Sequence, residues 1–245
     1  MMDKKARPVR FQRLMDAVSK SQQREEFTDF TLVCEGERFQ VHKVIVCSQS
    51  AVLRAASMGP FKEASSGVYE MNEDSLPMVR KLIDYFYTAD YDQNVESADT
   101  ECAPPISALQ IHVRMFVLAD KYDIEGLRVL SSEKYSNRLM SPCSALEFLE
   151  SVPDVYTLTA PSVRVLRDEV THFARVNLEN YIQDQSVREV YEKIATEVPH
   201  FVKDVLDSFI TAPFIGTCFN CGPRTSMKVL QARCRKCGKG TQRIG

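Results

Sequence analysis

Four cysteines near the C-terminus are the residues whose types and spacing are best suited to chemistry. Two C-x-x-C units, separated by 12 residues, contain Cys218, Cys221, Cys234 and Cys237. The turn within each unit brings its two sulfurs to one side, and two such units supply the tetrahedral set of thiolates that Zn²⁺ prefers. A glycine follows each unit, where a tight turn is needed. The pattern therefore predicts a metal site in this segment.

The expected metal is structural zinc rather than a catalytic ion. Four cysteine ligands leave no coordination position for water, which argues against metal-assisted hydrolysis. Redox chemistry of either pair is an alternative, although the thioredoxin-like βαβ context is missing, and an iron–sulfur centre is another. Residues 214–245 are too few and too polar to bury a core. Bound zinc would supply much of their folding free energy, on the order of 10 kcal/mol.

The other four cysteines and the hydropathy pattern indicate the compartment. Single cysteines stand at Cys34, Cys47, Cys102 and Cys143. No apolar run approaches the roughly 18 to 20 residues of a membrane span, and the N-terminus carries scattered basic residues without an apolar segment behind them. We therefore expect no signal peptide, no membrane anchor and reduced thiols. The expected location is intracellular, in the nucleus or the cytoplasm.

The formal net charge of −2 hides a strong segregation of charge along the chain. Residues 1–24 hold seven basic and two acidic side chains, and residues 214–245 hold seven basic and no acidic ones. The middle carries 17 basic against 31 acidic side chains. Basic ends can attract nucleic acid, but aromatic side chains for base stacking are sparse near the cysteines. Contact with protein is favoured over contact with nucleic acid.

The elements that must position these groups begin with a hairpin. Residues 27–34 are rich in aromatic and β-branched residues, Glu35-Gly36 follows, and residues 38–41 alternate with period two, which predicts two antiparallel strands. A short strand is expected at 68–71. Pro77 fits the first turn of a helix whose apolar residues then repeat at three and four positions. Residues 89–107 contain five acids and Pro104-Pro105, which predicts an acidic surface loop.

The C-terminal half before the cysteines is predicted to be helical. Helices are expected near 142–150, 161–177 and 186–210. Ser141-Pro142 has the pattern of an N-cap followed by proline at the first helical position. Ser186 and Glu189 have the spacing of a capping box. Pro199 should split or kink the last helix because proline cannot donate the helical hydrogen bond.

The N-terminal pattern resembles the BTB/POZ domain family. The segments that carry the resemblance are Asp29–Val33, Phe39–Lys43, Ser48–Ser50, Phe61–Glu63, Leu82–Thr88 with Tyr91, and Leu118–Ile124 with Leu127. Their order over about 100 residues is more specific than any single motif. The resemblance implies an α+β fold, in which a small β-sheet caps a cluster of helices. The acidic insertion before the final helices is similar to the fungal type.

The resemblance divides the chain into four expected parts. They are a basic segment over 1–23, a BTB/POZ-like domain over 24–130, a helical and at most BACK-like extension over 131–213, and a four-cysteine zinc ribbon over 214–245. The family's fold is built for protein association, so the resemblance implies protein partners and self-association, with a homodimer expected. No small-molecule substrate is expected.

Three residues of the BTB/POZ-like part are candidates for partner binding. Asp29 is expected either at a dimer interface, which in this family forms around the first strand and helix, or as a cap at the entrance of the strand. Phe61 and Glu63 resemble the hydrophobic-x-Glu element through which some members of the family bind a cullin scaffold. The alternative is a loop phenylalanine packed in the core beside a solvated glutamate. His42 is expected to be a buried histidine hydrogen-bonded to backbone rather than a catalytic group.

The sequence supports three hypotheses about function. The first is a protein-interaction module that self-associates or docks partners, with the zinc ribbon as a second contact surface. The second is a substrate adaptor of a cullin-type ubiquitin ligase, and the third is a nucleic-acid-associated transcriptional regulator. An enzyme is the least supported class, because the sequence has no phosphate-binding glycine loop, no H-E-x-x-H and no G-x-S-x-G motif.

Overall fold

A computed structural model shows two compact units, residues 1–142 and 143–245. The structure describes residues 6–94, 106–141, 143–211, 215–218, 220–228, 233–234, 236–237 and 239. Part of the predicted acidic loop, residues 95–105, lies outside the described residues. Among the described helices, none combines the length and the apolar character that crossing a bilayer requires.

The first unit contains a three-stranded sheet with the order β2-β1-β3. β1 (Phe30–Cys34) and β2 (Glu37–Val41) form the predicted antiparallel hairpin. Glu35 and Gly36 close it with positive φ angles of 48° and 83°, the left-handed conformation that a two-residue hairpin turn requires. β3 (Val68–Glu70) pairs in parallel with β1, so a crossover of helices must connect the hairpin to it.

Helices make up most of the rest of the first unit. They are α1 (Ala6–Gln23), α2 (Lys43–Gln49), α3 (Ala51–Met58), α4 (Lys62–Ser66), α5 (Leu76–Thr88), α6 (Ala108–Lys121) and α7 (Glu125–Met140). α5 begins after Ser75 with proline in its first turn, as predicted. Ser107 and Gln110 form a capping box at α6. α7 runs across residue 130, where the extension was expected to begin.

One hydrophobic core joins the sheet to these helices. Its fully buried side chains include Leu32, Leu53, Leu82, Phe86 and Tyr122. Tyr85 and Tyr87 of α5 also belong to this core. The fold is therefore the predicted α+β arrangement of a helical cluster capped by a small sheet.

A buried hydrogen-bonded serine connects distant parts of the first unit. The Ser50 hydroxyl accepts from the backbone N–H of Leu53 at 3.0 Å, which caps α3. The same hydroxyl donates to the Tyr122 carbonyl at 2.7 Å, 72 residues away in sequence. The cap of one helix thus also fixes the chain that leaves α6.

The second unit begins with helices α8 (Ala145–Leu158), α9 (Val165–Tyr181), α10 (Gln185–Glu197) and α11 (Pro199–Thr211). The predicted break at Pro199 is confirmed, because α10 ends two residues before it. Both predicted N-caps are wrong. Ser141 is the C-cap of α7, and Ser144 caps α8 by accepting from the N–H of Glu147. Asp184, not Ser186, caps α10, since its carboxylate accepts from the N–H of Ser186 at 2.8 Å.

A buried arginine closes the C-terminal end of α8. Arg167 on α9 is only 4% exposed, and it donates to the carbonyls of Tyr156 and Thr159 at 3.1 and 2.7 Å. These carbonyls are among those that a helix C-terminus leaves without an intrahelical partner. Arg167 therefore satisfies the end of one helix from the body of the next.

A small antiparallel sheet of order β4-β5-β6 follows the helices. Its strands are β4 (Ile215–Cys218), β5 (Gly222–Lys228) and β6 (Arg233–Cys234). The pairing of Cys218 with Gly222 closes a tight turn around the first C-x-x-C unit. Gly222 has φ of 87°, a conformation that glycine adopts without steric cost.

Candidate partner surfaces and metal centre

Asp29 caps a helix from the chain just before the first strand. Its Oδ1 accepts from the backbone N–H of Lys43, the first residue of α2, at 2.7 Å. Its own N–H donates to the Val41 carbonyl at 3.1 Å and extends the hairpin by one bond. A carboxylate at a helix N-terminus also interacts favourably with the helix dipole. Asp29 thus ties the strand entrance to α2 while remaining exposed.

Two exposed apolar side chains flank the Asp29–Lys43 hydrogen bond. Phe27 is 89% exposed and has φ of 61°, which a bulky residue seldom adopts. Val44, the second residue of α2, is 75% exposed. We call Phe27, Asp29 and Val44 the hairpin surface. The sequence pattern indicates Asp29 but not its apolar neighbours, because a strand-and-helix pattern does not say which apolar residues stay outside the core.

His42 holds the turn that presents Phe27. Its Nε2 lies 2.9 Å from the Glu26 carbonyl, and its Nδ1 lies 2.8 Å from the Tyr87 hydroxyl. A carbonyl can only accept, so Nε2 is assigned the proton of the hydrogen bond to Glu26. Burial raises the pKa of Tyr87 to about 12, so its hydroxyl keeps its proton. His42 is half-buried rather than buried, and it is hydrogen-bonded to a backbone carbonyl, as expected.

Phe61 does not lie in the core, and the interpretation of a core-packed loop phenylalanine is wrong. It is the N-cap residue of α4 and is 55% exposed. Its ring covers Gly59, where an added Cβ would lie 2.8 Å from Phe61 Cδ2 and 2.6 Å from the Ala55 carbonyl oxygen. The absence of a side chain at Gly59 therefore leaves room for this ring. Met58 beside it is 78% exposed.

Glu63 lies two residues further along, in the first turn of α4. It is half-buried, and an acidic residue in a first turn is favoured by the helix dipole. Phe61 and Glu63, together with Met58, form what we call the α4 surface. It offers two exposed apolar side chains, Phe61 and Met58, beside a half-buried glutamate.

Three of the four predicted metal ligands come together in the second unit. The sulfurs of Cys218, Cys221 and Cys237 all lie within 4.8 Å of one another. Cys218 Sγ and Cys237 Sγ are 3.6 Å apart, and Cys218 is only 1% exposed. The fourth predicted ligand, Cys234, lies in β6 with its backbone paired to Met227. Its side chain lies outside the described residues.

The chemistry of this cluster suits a soft or borderline metal ion. Thiolates are the ligands that Zn²⁺ takes in structural sites. The turn of the first C-x-x-C unit supplies two of the sulfurs, and the second unit supplies the third from a part of the chain 16 or more residues away. Residues of both units therefore converge, as their spacing predicts.

Comparison with known proteins identifies the first unit. Residues 18–138 match the family model described as "BTB/POZ domain". TD and POZ domain-containing protein 2 of Mus musculus is 22% identical over 210 residues, which cover 85% of this chain and 51% of that protein. Kelch-like protein 26 of Danio rerio is 22% identical over 180 residues, which cover 73% of this chain and 29% of that protein. The chain thus spans about half or less of the length of these relatives.

Among solved structures, the BTB domain of zebrafish PATZ1 matches with a TM-score of 0.38 and 16% sequence identity. The match covers 49% of this chain and 86% of that one.

Proposed function

Because residues 18–138 form a BTB/POZ domain, a protein-interaction module, we propose that this chain self-associates through the hairpin surface. In this proposal the zinc-bound C-terminal ribbon serves as a second contact surface for a protein partner. The observation that carries the proposal is the exposure of Phe27, two residues before Asp29, and of Val44, next to the Lys43 that donates to Asp29.

Burial of the two exposed side chains would drive the pairing. A phenylalanine or valine side chain that moves from water into an interface contributes about 1.5 to 3 kcal/mol. Phe27 also occupies a left-handed backbone conformation that costs about 1 to 2 kcal/mol, and the His42 hydrogen bonds hold it there. A turn held in this conformation presents a rigid aromatic anchor, the kind of residue that dominates interface energetics.

Light scattering after size exclusion tests the proposal at tens of micromolar protein. The natural chain should elute with twice the 27.9 kDa mass of one chain, and a Phe27→Ser, Val44→Glu variant should elute near the mass of one chain. Val129→Glu is the matched control, because Val129 is 46% exposed on α7, outside the hairpin surface. A natural chain that stays monomeric at this concentration overturns the proposal.

We further propose that a structural Zn²⁺ is held by Cys218, Cys221, Cys234 and Cys237. Support comes from the convergence of three sulfurs and from the burial of Cys218. Metal analysis of the full chain, purified in reductant, should find one zinc per chain, and Cys218→Ser should lose it. Cys143→Ser, outside the cluster, should keep it. A metal-free natural chain that readily forms a Cys218–Cys237 disulfide would favour the redox alternative.

The α4 surface supports a second candidate function, that of an adaptor for a cullin scaffold. Phe61 is exposed and available to a partner, and Glu63 lies two residues away in the hydrophobic-x-Glu spacing. Purified chain should capture a purified cullin N-terminal domain, and Phe61→Ala with Glu63→Ala should abolish capture. Lys62→Ala, between them, should leave it unchanged. Absence of capture by the natural chain excludes this role.

A further inference from the structure

Three apolar side chains on the last helix remain partly exposed to solvent. Val202, Leu206 and Ile210 recur at every fourth position of α11 and are 36%, 50% and 56% exposed. Residues four apart form a continuous ridge on the surface of a helix. We call these three residues the α11 ridge.

The opposite face of α11 is already anchored, so the ridge is not the result of a loosely held helix. Phe201 is fully buried against the Tyr156 ring of α8. Asp204 accepts from the Tyr156 hydroxyl at 2.9 Å and from Arg164 Nη1 at 2.8 Å. Near its C-terminus, the Ser208 carbonyl accepts from Arg175 Nη1 at 2.7 Å. The inner face of α11 therefore fixes the orientation in which the ridge points outward.

We propose that the α11 ridge binds the same ridge of a second copy of this chain, with the two helices antiparallel and a two-fold axis beside Leu206. A ridge formed by every fourth residue fits the groove beside an identical ridge, which is the commonest mode of helix packing. In this arrangement Val202 of each copy packs against Ile210 of the other. The contact is self-complementary, as closed two-fold assemblies require.

Charge beside the ridge selects the antiparallel arrangement. Lys203 and Asp207 are both exposed and lie along the same flank of the ridge. Antiparallel pairing places Lys203 of each copy near Asp207 of the other, which gives two ion pairs. A parallel arrangement of the helices would put the two flanks on opposite sides of the contact, so that neither ion pair forms. The same helix thus supplies both the apolar ridge and the charges that complement it.

The contact is small, because a single helix of 13 residues contributes it. Interfaces well below about 1,200 Å² are generally weak when they act alone. The ridge contact is distinct from the proposed pairing through the hairpin surface, and its test does not require that pairing.

Photocrosslinking of the full chain tests the contact directly. p-Benzoylphenylalanine at position 206, in a mixture of isotopically light and heavy chains, should give covalent dimers whose crosslinks map to residues 199–211 of the other isotope. The photoreactive group at position 176, where Val176 is 56% exposed on α9, is the matched control and should give none. Crosslinks confined to one chain, for example to the β4–β6 sheet, overturn the proposal.

A charge swap tests the antiparallel arrangement. Lys203→Asp and Asp207→Lys should each weaken the crosslinking yield or the self-association constant roughly three- to tenfold, because each places like charges opposite one another. The double swap should restore the natural value. If the two single variants have unequal effects and the double swap does not restore the natural value, the antiparallel arrangement is overturned. The Phe27→Ser, Val44→Glu variant distinguishes this contact from the hairpin surface. If that variant loses the dimer seen by light scattering but keeps the crosslink at position 206, the two contacts are independent.

Discussion

At the scale of single residues, Cys34 shows how burial controls thiol chemistry. It is fully buried at the end of β1, and its thiol donates to the Asp74 carbonyl at 3.1 Å. Burial, with the Glu35 carboxylate adding to it, raises the pKa of this thiol from 9.0 to about 11. The thiolate is the nucleophile, so its fraction at pH 8 falls about a hundredfold.

We therefore expect iodoacetamide at pH 8 to modify Cys143, which is half-buried, much faster than Cys34. Mass spectrometry of peptides after timed alkylation measures both rates. Modification of Cys34 should speed up when the pH is raised towards 11 or when urea unfolds the chain. Equal rates for the two cysteines in the folded protein at pH 8 would contradict this expectation.

Asp29 offers a second prediction at this scale. Replacement of a capping carboxylate by alanine removes the acceptor for the N–H of Lys43 and should lower the free energy of unfolding by about 1 kcal/mol. Asp29→Asn keeps an acceptor oxygen and should cost less. Urea unfolding followed by circular dichroism, at a concentration where chains are separate, measures both. An Asp29→Ala variant as stable as the natural chain would mean that the cap contributes nothing.

At the scale of elements, the end of α8 depends on one side chain of α9. Arg167→Ala would leave the Tyr156 and Thr159 carbonyls without their buried donor and should lower the free energy of unfolding by about 2 to 4 kcal/mol. Arg167→Lys should recover part of this loss. Arg164→Ala is the control, because Arg164 is a more exposed arginine of the same region. Equal effects of the two alanine variants would contradict the assigned role.

Sequence patterns predicted some elements and missed others for identifiable reasons. The hairpin and α5 were predictable because Glu35-Gly36 and Pro77 are local signals. The caps at Ser144 and Asp184 were missed because several polar residues compete for each helix start, and only hydrogen-bond geometry decides between them. The exposure of Phe61 depends on the space above Gly59, which periodicity does not encode.

The metal cluster was predictable in outline, because C-x-x-C spacing fixes which sulfurs can meet. Three of the four do meet, and the role of Cys234 stays a prediction, as do the domain boundaries and the fungal type. The exposure of the α11 ridge could not be predicted from the sequence. A repeat of apolar residues shows that a face exists, but a helix with apolar residues on two faces does not show which one its own unit buries.

At the scale of the whole molecule, two compact units predict two separable responses to metal removal. The C-terminal ribbon has Cys218 as the centre of its own small buried cluster. If the proposed zinc supplies folding free energy to the β4–β6 sheet, a chelator should speed amide hydrogen exchange in β4 and β5 while leaving β1–β3 unchanged. Exchange followed by mass spectrometry measures this, and a uniform change across both units would contradict it.

The topology of the first sheet also sets the order in which the chain can assemble during synthesis. The hairpin can form as soon as it leaves the ribosome, but β1 must wait for β3, and Ser50 must wait for Tyr122, 72 residues later. At about 5 to 20 residues per second, the Ser50–Tyr122 delay is roughly 4 to 15 s, and the shorter delay between β1 and β3 is roughly 2 to 7 s. Until β3 has been made, one edge of β1 carries unpaired backbone groups that can template the strands of other nascent chains. The nascent chain is therefore most exposed to aggregation through this edge before β3 has been made.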